Sequence, residues 1–119
     1  MNILILGGGG REHALARKIA QSTACKSLYI APGNAGTAQE GTNLPVNPEQ
    51  FEDVAEAVRT HKIDLLVVGP EAPLVAGIRD HFEALPEFAT LRIIGPGRAG
   101  AQLEGSKDFA KAFMARHGI

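Results

Sequence analysis

The chain has no tryptophan, and aromatic residues make up only 5% of it. Without large rings to fill space, a folded core must be aliphatic, built from Ile, Leu, Val and Ala. A single cysteine, Cys25, excludes an internal disulfide and cannot by itself hold a metal. A small, partly buried thiol in a reducing cytosol fits that usage. An excess of one charge is missing too. Twelve basic residues stand against 13 acidic ones, a formal net charge of −1. That balance gives neither nucleic acid nor an anionic membrane a reason to bind, although backbone N–H groups can still hold an anion locally. Long apolar runs are absent. The run after Met1-Asn2 is only four residues long, too short for the apolar region of a signal peptide. No stretch approaches the roughly 20 apolar residues of a membrane span. A cytoplasmic protein is expected.

What is present is a chain of 119 residues, 45% hydrophobic, enough for one domain with one core. Ile3-Leu4-Ile5-Leu6 is a short continuous apolar run closed by Gly7 to Gly10, the pattern of a strand buried on both faces. A helix follows over about 11–20, with Leu15, Ile19 and the alanines at 14, 16 and 20 on its inner side. Ser27 to Ala31 predicts a second strand, stopped by Pro32. After a long loop, Asn47-Pro48-Glu49-Gln50 predicts a helix start. Asn47 is the cap, Pro48 takes the first helical position and Gln50 closes a capping box. Phe51, Val54, Ala55 and Val58 recur at helical spacing, and His61-Lys62 fall near the helix end. Asp64 to Val68 is a third strand, Leu74 to about Ala84 a further helix, and Leu91 to Ile94 a fourth strand. This alternation predicts an α/β fold with a Rossmann-like, doubly wound parallel sheet.

Beyond Gly95 the character changes. Gly95-Pro96-Gly97-Arg98-Ala99-Gly100 reads as a turn, and Ser106 caps a helix to about His117 that carries Phe109 and Phe113 on one side. Gly118 can end it. Those rings need a partner surface, so the sequence is expected to be a piece of a longer protein.

In an open parallel sheet, ligands bind beyond the carboxyl ends of the strands. All four predicted strands end there in loops rich in Gly or Pro, at 7–10, 32–36, 69–73 and 95–100. Glycines let a ligand approach the backbone and let N–H groups converge, and the first loop also opens a helix, whose N-terminus favours an anion. A dinucleotide fails two tests. The third glycine of the fingerprint falls on Glu12 or His13, and no acid follows the second strand, which ends Ile30-Ala31-Pro32-Gly33-Asn34. The phosphate-binding Gly-x-x-x-x-Gly-Lys-Ser/Thr pattern is absent as well. A smaller anion such as a sugar phosphate remains.

Glu71, between Pro70 and Pro73, either accepts hydrogen bonds from sugar hydroxyls or is a helix-start acid favoured by the dipole. Asn34 either touches the ligand or serves a turn. Glu12 and His13 have equally plain explanations as first-turn residues. No Ser/His/Asp or Cys/His arrangement has catalytic spacing, and His13, His61, His81 and His117 are scattered without metal-binding spacing.

Four runs together carry a resemblance. They are Gly7-Gly-Gly-Gly-Arg-Glu-His-Ala-Leu15, Ala31-Pro-Gly-Asn-Ala-Gly-Thr37, Val68-Gly-Pro-Glu-Ala-Pro-Leu74 and Gln102-Leu-Glu-Gly-Ser-Lys107. In this order and spacing the chain resembles the N-terminal part of the phosphoribosylamine–glycine ligase (glycinamide ribonucleotide synthetase) family. The resemblance implies the ligase of de novo purine biosynthesis. In that reaction ATP activates glycine as an acyl phosphate, and 5-phosphoribosylamine attacks it to give glycinamide ribonucleotide, ADP and phosphate. It implies a Rossmann-like substrate-binding domain over 1–100, and over 101–119 a linker and first helix leading into an ATP-grasp domain. That further domain of the same polypeptide would hold ATP with Mg2+ or Mn2+. Carried over by motif, Gly8, Gly9, Gly10, Arg11, Glu12, Gly33 and Asn34 line the phosphoribosylamine site. Glu71 contacts its ribose or amine, and Lys107 lies near the nucleotide. No catalytic residue is expected in this piece, which alone should be inactive. The other open reading is a free-standing Rossmann-like module that binds a nucleotide or sugar phosphate without catalysis.

Overall fold

Ile3, Leu4, Ile5 and Leu6 are all fully buried, because the strand they form has a parallel neighbour on each side and helices on both faces. The computed structural model describes residues 1–95. Its elements run β1 (Asn2–Gly7), α1 (Gly10–Ala20), β2 (Ser27–Pro32), β3 (Thr42–Asn43), α2 (Phe51–His61), β4 (Leu65–Val68), α3 (Glu71–Val75), α4 (Ile78–Glu83) and β5 (Arg92–Ile94). Short 3-10 turns occupy Thr37–Gln39 and Pro86–Phe88. The strands form one sheet in the order β3-β2-β1-β4-β5, and each pairing is parallel. Leu4 faces Tyr29 on one side and Leu66 on the other in this register.

Alternation along β1 sorts the core into two layers. Ile3 and Ile5 pack with Leu28, Ile30, Leu65 and Val67 beneath Ala16 and Ile19 of α1. Leu4 and Leu6 pack on the opposite face with Leu66 and Val68, against Val54, Ala55 and Val58 of α2, Ile78 and Phe82 of α4, and Phe88. The expected aliphatic α/β sandwich is therefore the observed one, with Phe82 and Phe88 as an edge-to-face pair at its rim (centroids 4.9 Å apart).

Three expectations need correction. The long loop contains a fifth strand, β3, whose Thr42 and Asn43 pair with Tyr29 and Ile30. The helix expected to start at Pro48 starts at Phe51, with Gln50 at the cap position. Asn47 instead accepts the Glu49 N–H with its own Oδ1 (2.9 Å), and the Gln50 N–H donates to the Asn47 carbonyl (3.0 Å). The segment 47–50 is thus spent in a turn that precedes the helix. Finally, the helix expected over 74–84 begins at Glu71 and is broken in two. Gly77, at φ +96°, ends α3 and caps α4.

The chain order places the topological switch between β1 and β4. From β1 the sheet grows outward through β2 to β3, then returns to the other side of β1 at β4. The carboxyl ends of β1, β2 and β4 are adjacent there, which is where such folds take ligands. Among the described residues, no helix is long and apolar enough to cross a membrane. The turn beyond Gly95, the helix expected over 106–117 with Phe109 and Phe113, Lys107, and the division between 1–100 and 101–119 lie outside the described residues.

Candidate functional site

β1 ends in Gly7, whose φ of +126° suits glycine alone, and the chain turns through Gly8 and Gly9 into α1. The first intrahelical donor is His13, whose N–H reaches the Gly9 carbonyl (3.1 Å). The N–H groups of Gly10, Arg11 and Glu12 come before it, at the positive end of the helix dipole. Gly8, Gly9, Gly10 and Arg11 are all exposed.

Glu12 is not. It is 7% exposed, turned back under the turn that it follows. Its Oε1 accepts the Gly9 N–H at 2.9 Å, the half of a capping box in which the acid reaches back to the cap residue. Its carboxylate also fills the space above Gly7 and Gly69. A β-carbon on Gly69 would lie 2.7 Å from Glu12 Oε2 and 2.7 Å from the Leu6 carbonyl oxygen. Glycine at these positions makes room for the acid as well as for any ligand.

The second loop closes onto the first. The Gly33 N–H donates to the Gly7 carbonyl at 3.0 Å. Asn34 Nδ2 donates to the carbonyls of Gly8 (2.9 Å) and Gly9 (3.3 Å). The backbones approach so closely that a β-carbon on Gly8 would stand 2.8 Å from the Gly33 carbonyl oxygen. On the other flank, the imidazole of His13 covers Gly36, where a β-carbon would meet Nδ1 at 2.5 Å. His13 therefore wedges α1 against the 33–37 loop.

The third loop joins from β4. The Gly69 N–H donates to the Leu6 carbonyl at 3.0 Å, which ties it to the end of β1. Glu71 then opens α3 as an exposed first-turn residue, with Pro73 buried below it. The structure thus brings Gly8, Gly9, Gly33 and Asn34 into direct contact, sets Gly10 and Arg11 beside them, and puts Glu71 on the same edge. It also reveals two residues that sequence reasoning missed, Thr37 and Asn43, which hydrogen-bond to Asn34 from behind. Their signal is faint: Thr37 closes the second of the four motif runs, and Asn43 is one more polar residue in the loop after it.

This geometry suits a small anion with a polar body. Backbone donors and a helix N-terminus lie on this edge together with the exposed carboxylate of Glu71, so an anion can be held here without a cationic cluster.

Residues 1–104 match the family model described as phosphoribosylglycinamide synthetase, N domain. The whole chain is 54% identical to a phosphoribosylamine–glycine ligase of Rhizobium meliloti and covers 27% of that protein. It is 50% identical to one from Clostridium acetobutylicum, again over the whole chain and over 28% of the relative. A crystal structure of phosphoribosylamine–glycine ligase from Thermotoga maritima superposes with a TM-score of 0.51 at 34% identity, over all of this chain and 25% of that one. The chain thus spans little more than a quarter of the length of the curated relatives it matches.

Proposed function

Because the chain belongs to the family of the phosphoribosylglycinamide synthetase N domain, we propose that it supplies the phosphoribosylamine half of a ligase active site. The parent reaction is the ATP-dependent joining of glycine to 5-phosphoribosylamine in purine biosynthesis, carried out in the cytoplasm. The observation that carries this reading is the contact between the 8–10 turn and the 33–34 loop at the switch point, with Glu71 on the same edge.

The backbone groups of Gly8, Gly9, Gly10, Arg11 and Gly33 line the end that takes the phosphate. Glu12 and Asn34 belong to the same wall and hold its shape. Glu71 accepts hydrogen bonds from the ribose or the amine, and its carboxylate favours a protonated amine nearby. Residues 1–100 form the substrate-binding domain, and 101–119 lead into an ATP-grasp domain, with Lys107 near its nucleotide. Among the described residues, no three His, Cys, Asp or Glu side chains come together to hold a metal. Any Mg2+ or Mn2+ that accompanies ATP belongs with the ATP-grasp part of the parent enzyme. The parts for phosphoryl transfer belong on this reading to the ATP-grasp domain, so no ADP should be released when the 119-residue chain is mixed with ATP, glycine and phosphoribosylamine.

Calorimetric titration with a stable ribose 5-phosphate analogue tests the reading. Wild type should bind, and Glu71→Ala should bind about tenfold more weakly, the effect of losing one hydrogen bond to a charged group. Unchanged affinity in the variant would remove Glu71 from the site. Binding of ATP but not of the analogue would favour a nucleotide-binding module instead.

A further inference from the structure

Asn34 has almost no hydrogen-bonding capacity left for a ligand. Its side-chain oxygen accepts the Thr37 N–H (2.9 Å), and its side-chain nitrogen donates to the carbonyls of Gly8 (2.9 Å) and Gly9 (3.3 Å). The opposite amide orientation would set an oxygen against two carbonyls and an NH2 against an N–H, so the network fixes this one.

Its backbone is engaged as well. The Asn34 N–H donates to Thr37 Oγ1 at 2.7 Å. The Thr37 hydroxyl has one proton to give, and Asn43 Oδ1 lies 2.7 Å away, closer than the Asn34 carbonyl at 3.0 Å. Asn43 Nδ2 then donates to that carbonyl at 2.8 Å. The chain of bonds leaves Asn34 at its N–H, passes through Thr37 and Asn43, and returns to Asn34 at its C=O. Thr37 is fully buried, so the cycle is shielded from water where it turns. Asn43 belongs to β3, so the loop is anchored to the sheet. Gly33, at φ +74°, leaves the room: a β-carbon there would meet Thr37 Oγ1 at 2.6 Å and run into Asn43 Oδ1.

We propose that Asn34, Thr37 and Asn43 are positioning residues. They form a clamp that presets the spacing between the 8–10 turn and the 33–36 loop, and so set the affinity for the ligand anion without touching it. Thr37 and Asn43 stand behind the wall, and Asn34 transmits their constraint to the carbonyls of Gly8 and Gly9. With those two carbonyls drawn toward Asn34, repulsive oxygens are turned from the anion's path. The identity of the ligand rests on the reading under Proposed function; the clamp itself does not.

Two variants of the full chain separate the effects. Thr37→Val keeps the shape and removes the hydroxyl, leaving the Asn34 N–H and Asn43 Oδ1 unpaired. Asn34→Asp sets carboxylate oxygens against the carbonyls of Gly8 and Gly9, and at its half-buried position it tests the clamp even if Thr37→Val fails to fold. The first readout needs no ligand. Amide hydrogen exchange at Asn34 should speed up about tenfold or more in Thr37→Val and return toward wild type in Thr37→Ser. The second is titration with the ribose 5-phosphate analogue. Affinity should fall about tenfold in Thr37→Val and in Asn34→Asp, and Thr37→Ser should restore it. Phe88→Leu, remote from the clamp, should lower Tm and leave affinity unchanged, which separates positioning from general loss of stability.

Unchanged exchange at Asn34 in Thr37→Val, or unchanged affinity in both clamp variants, overturns the proposal. So does a loss of affinity in Phe88→Leu that matches theirs. If wild type does not bind the analogue, the ligand assignment fails, and the exchange measurements still decide the clamp.

Discussion

The carboxylate of Glu12 occupies the space above Gly69, so an acid from the first helical turn after β1 packs against the loop that follows β4. The same carboxylate accepts the Gly9 N–H. One side chain thereby joins the two strands that flank the switch point. Glu12→Ala should destabilise the chain by about 1.5–3 kcal/mol, the range for a hydrogen bond to a charged group. Gly69→Ala should also destabilise, because the new methyl meets both this carboxylate and the Leu6 carbonyl oxygen. Part of that conflict disappears when Glu12 is removed. The double variant should therefore lose less than the sum of the singles, by about 0.5–3 kcal/mol in urea denaturation. Strict additivity would show that the two residues do not share the space.

Two glycines with positive φ should respond differently to alanine. Gly77, at φ +96°, has nothing within 4 Å of where a β-carbon would stand. Gly77→Ala should cost only the backbone penalty, about 1–2 kcal/mol. Gly33, at φ +74°, carries that penalty and also a collision with Thr37 and Asn43. Gly33→Ala should lower the urea midpoint by more than Gly77→Ala and should speed amide exchange at Asn34. A larger loss at Gly77 would contradict the placement of the clamp.

The contrast between these positions also marks what the sequence can express. β1, β2, β4 and β5 are legible because the segments 3–6, 27–31, 64–68 and 91–94 are short, mostly apolar and each closed by Gly or Pro. β3 is not: Thr42–Asn43 is two residues long, has no apolar pattern, and is a strand only because β2 offers it an edge. Asn47 is a good cap residue by type, but its side chain can also satisfy a nearby amide in a turn, and the local option prevailed. The helix expected over 74–84 runs through Gly77, whose positive φ divides α3 from α4. The site followed the same division. Glycines at 7–10 and 33 and the acid at 71 could be placed on one edge by topology alone. The bonds of Asn34 to Gly8 and Gly9, and those of Thr37 and Asn43 behind it, depend on loop conformations that no periodicity encodes.

Cys25 is partly buried, and burial raises its thiol above the ordinary value of 9.0, offset in part by the nearby N-terminal ammonium. The native thiol should therefore react with iodoacetamide more slowly at about pH 8 than the urea-unfolded chain does, because less of it is thiolate. The sign follows for stability too. The contribution is fully present below the unfolded value and is lost as pH rises through the higher folded one. Equal alkylation rates in the two states would show that the thiol is open to solvent.

On the far side of the sheet from α1, Arg59 of α2 pairs with Glu87 and lies over the Phe88 ring, its guanidinium carbon 5.4 Å from the centroid. Arg59 Nε reaches both Glu87 oxygens at 3.0 Å, and Nη2 approaches one of them at 2.5 Å. These bonds hold the Glu87 carboxyl below its ordinary value of 4.5. A lowered acid stabilises the fold above its unfolded value, and that contribution is lost as pH falls through the folded one. Both partners are exposed, so water and salt screen the pair and its effect on stability is small. Glu87→Gln should therefore lower Tm slightly near neutral pH and match wild type once acid has protonated Glu87 in the folded state. Added salt should narrow the neutral-pH gap, because the Debye length shortens while the stacking of Arg59 on Phe88 persists. Thermal melts of both proteins across that pH range, at low and high salt, check both expectations. A gap that stays constant down to the lowest pH would assign the effect of Glu87 to packing rather than to its charge.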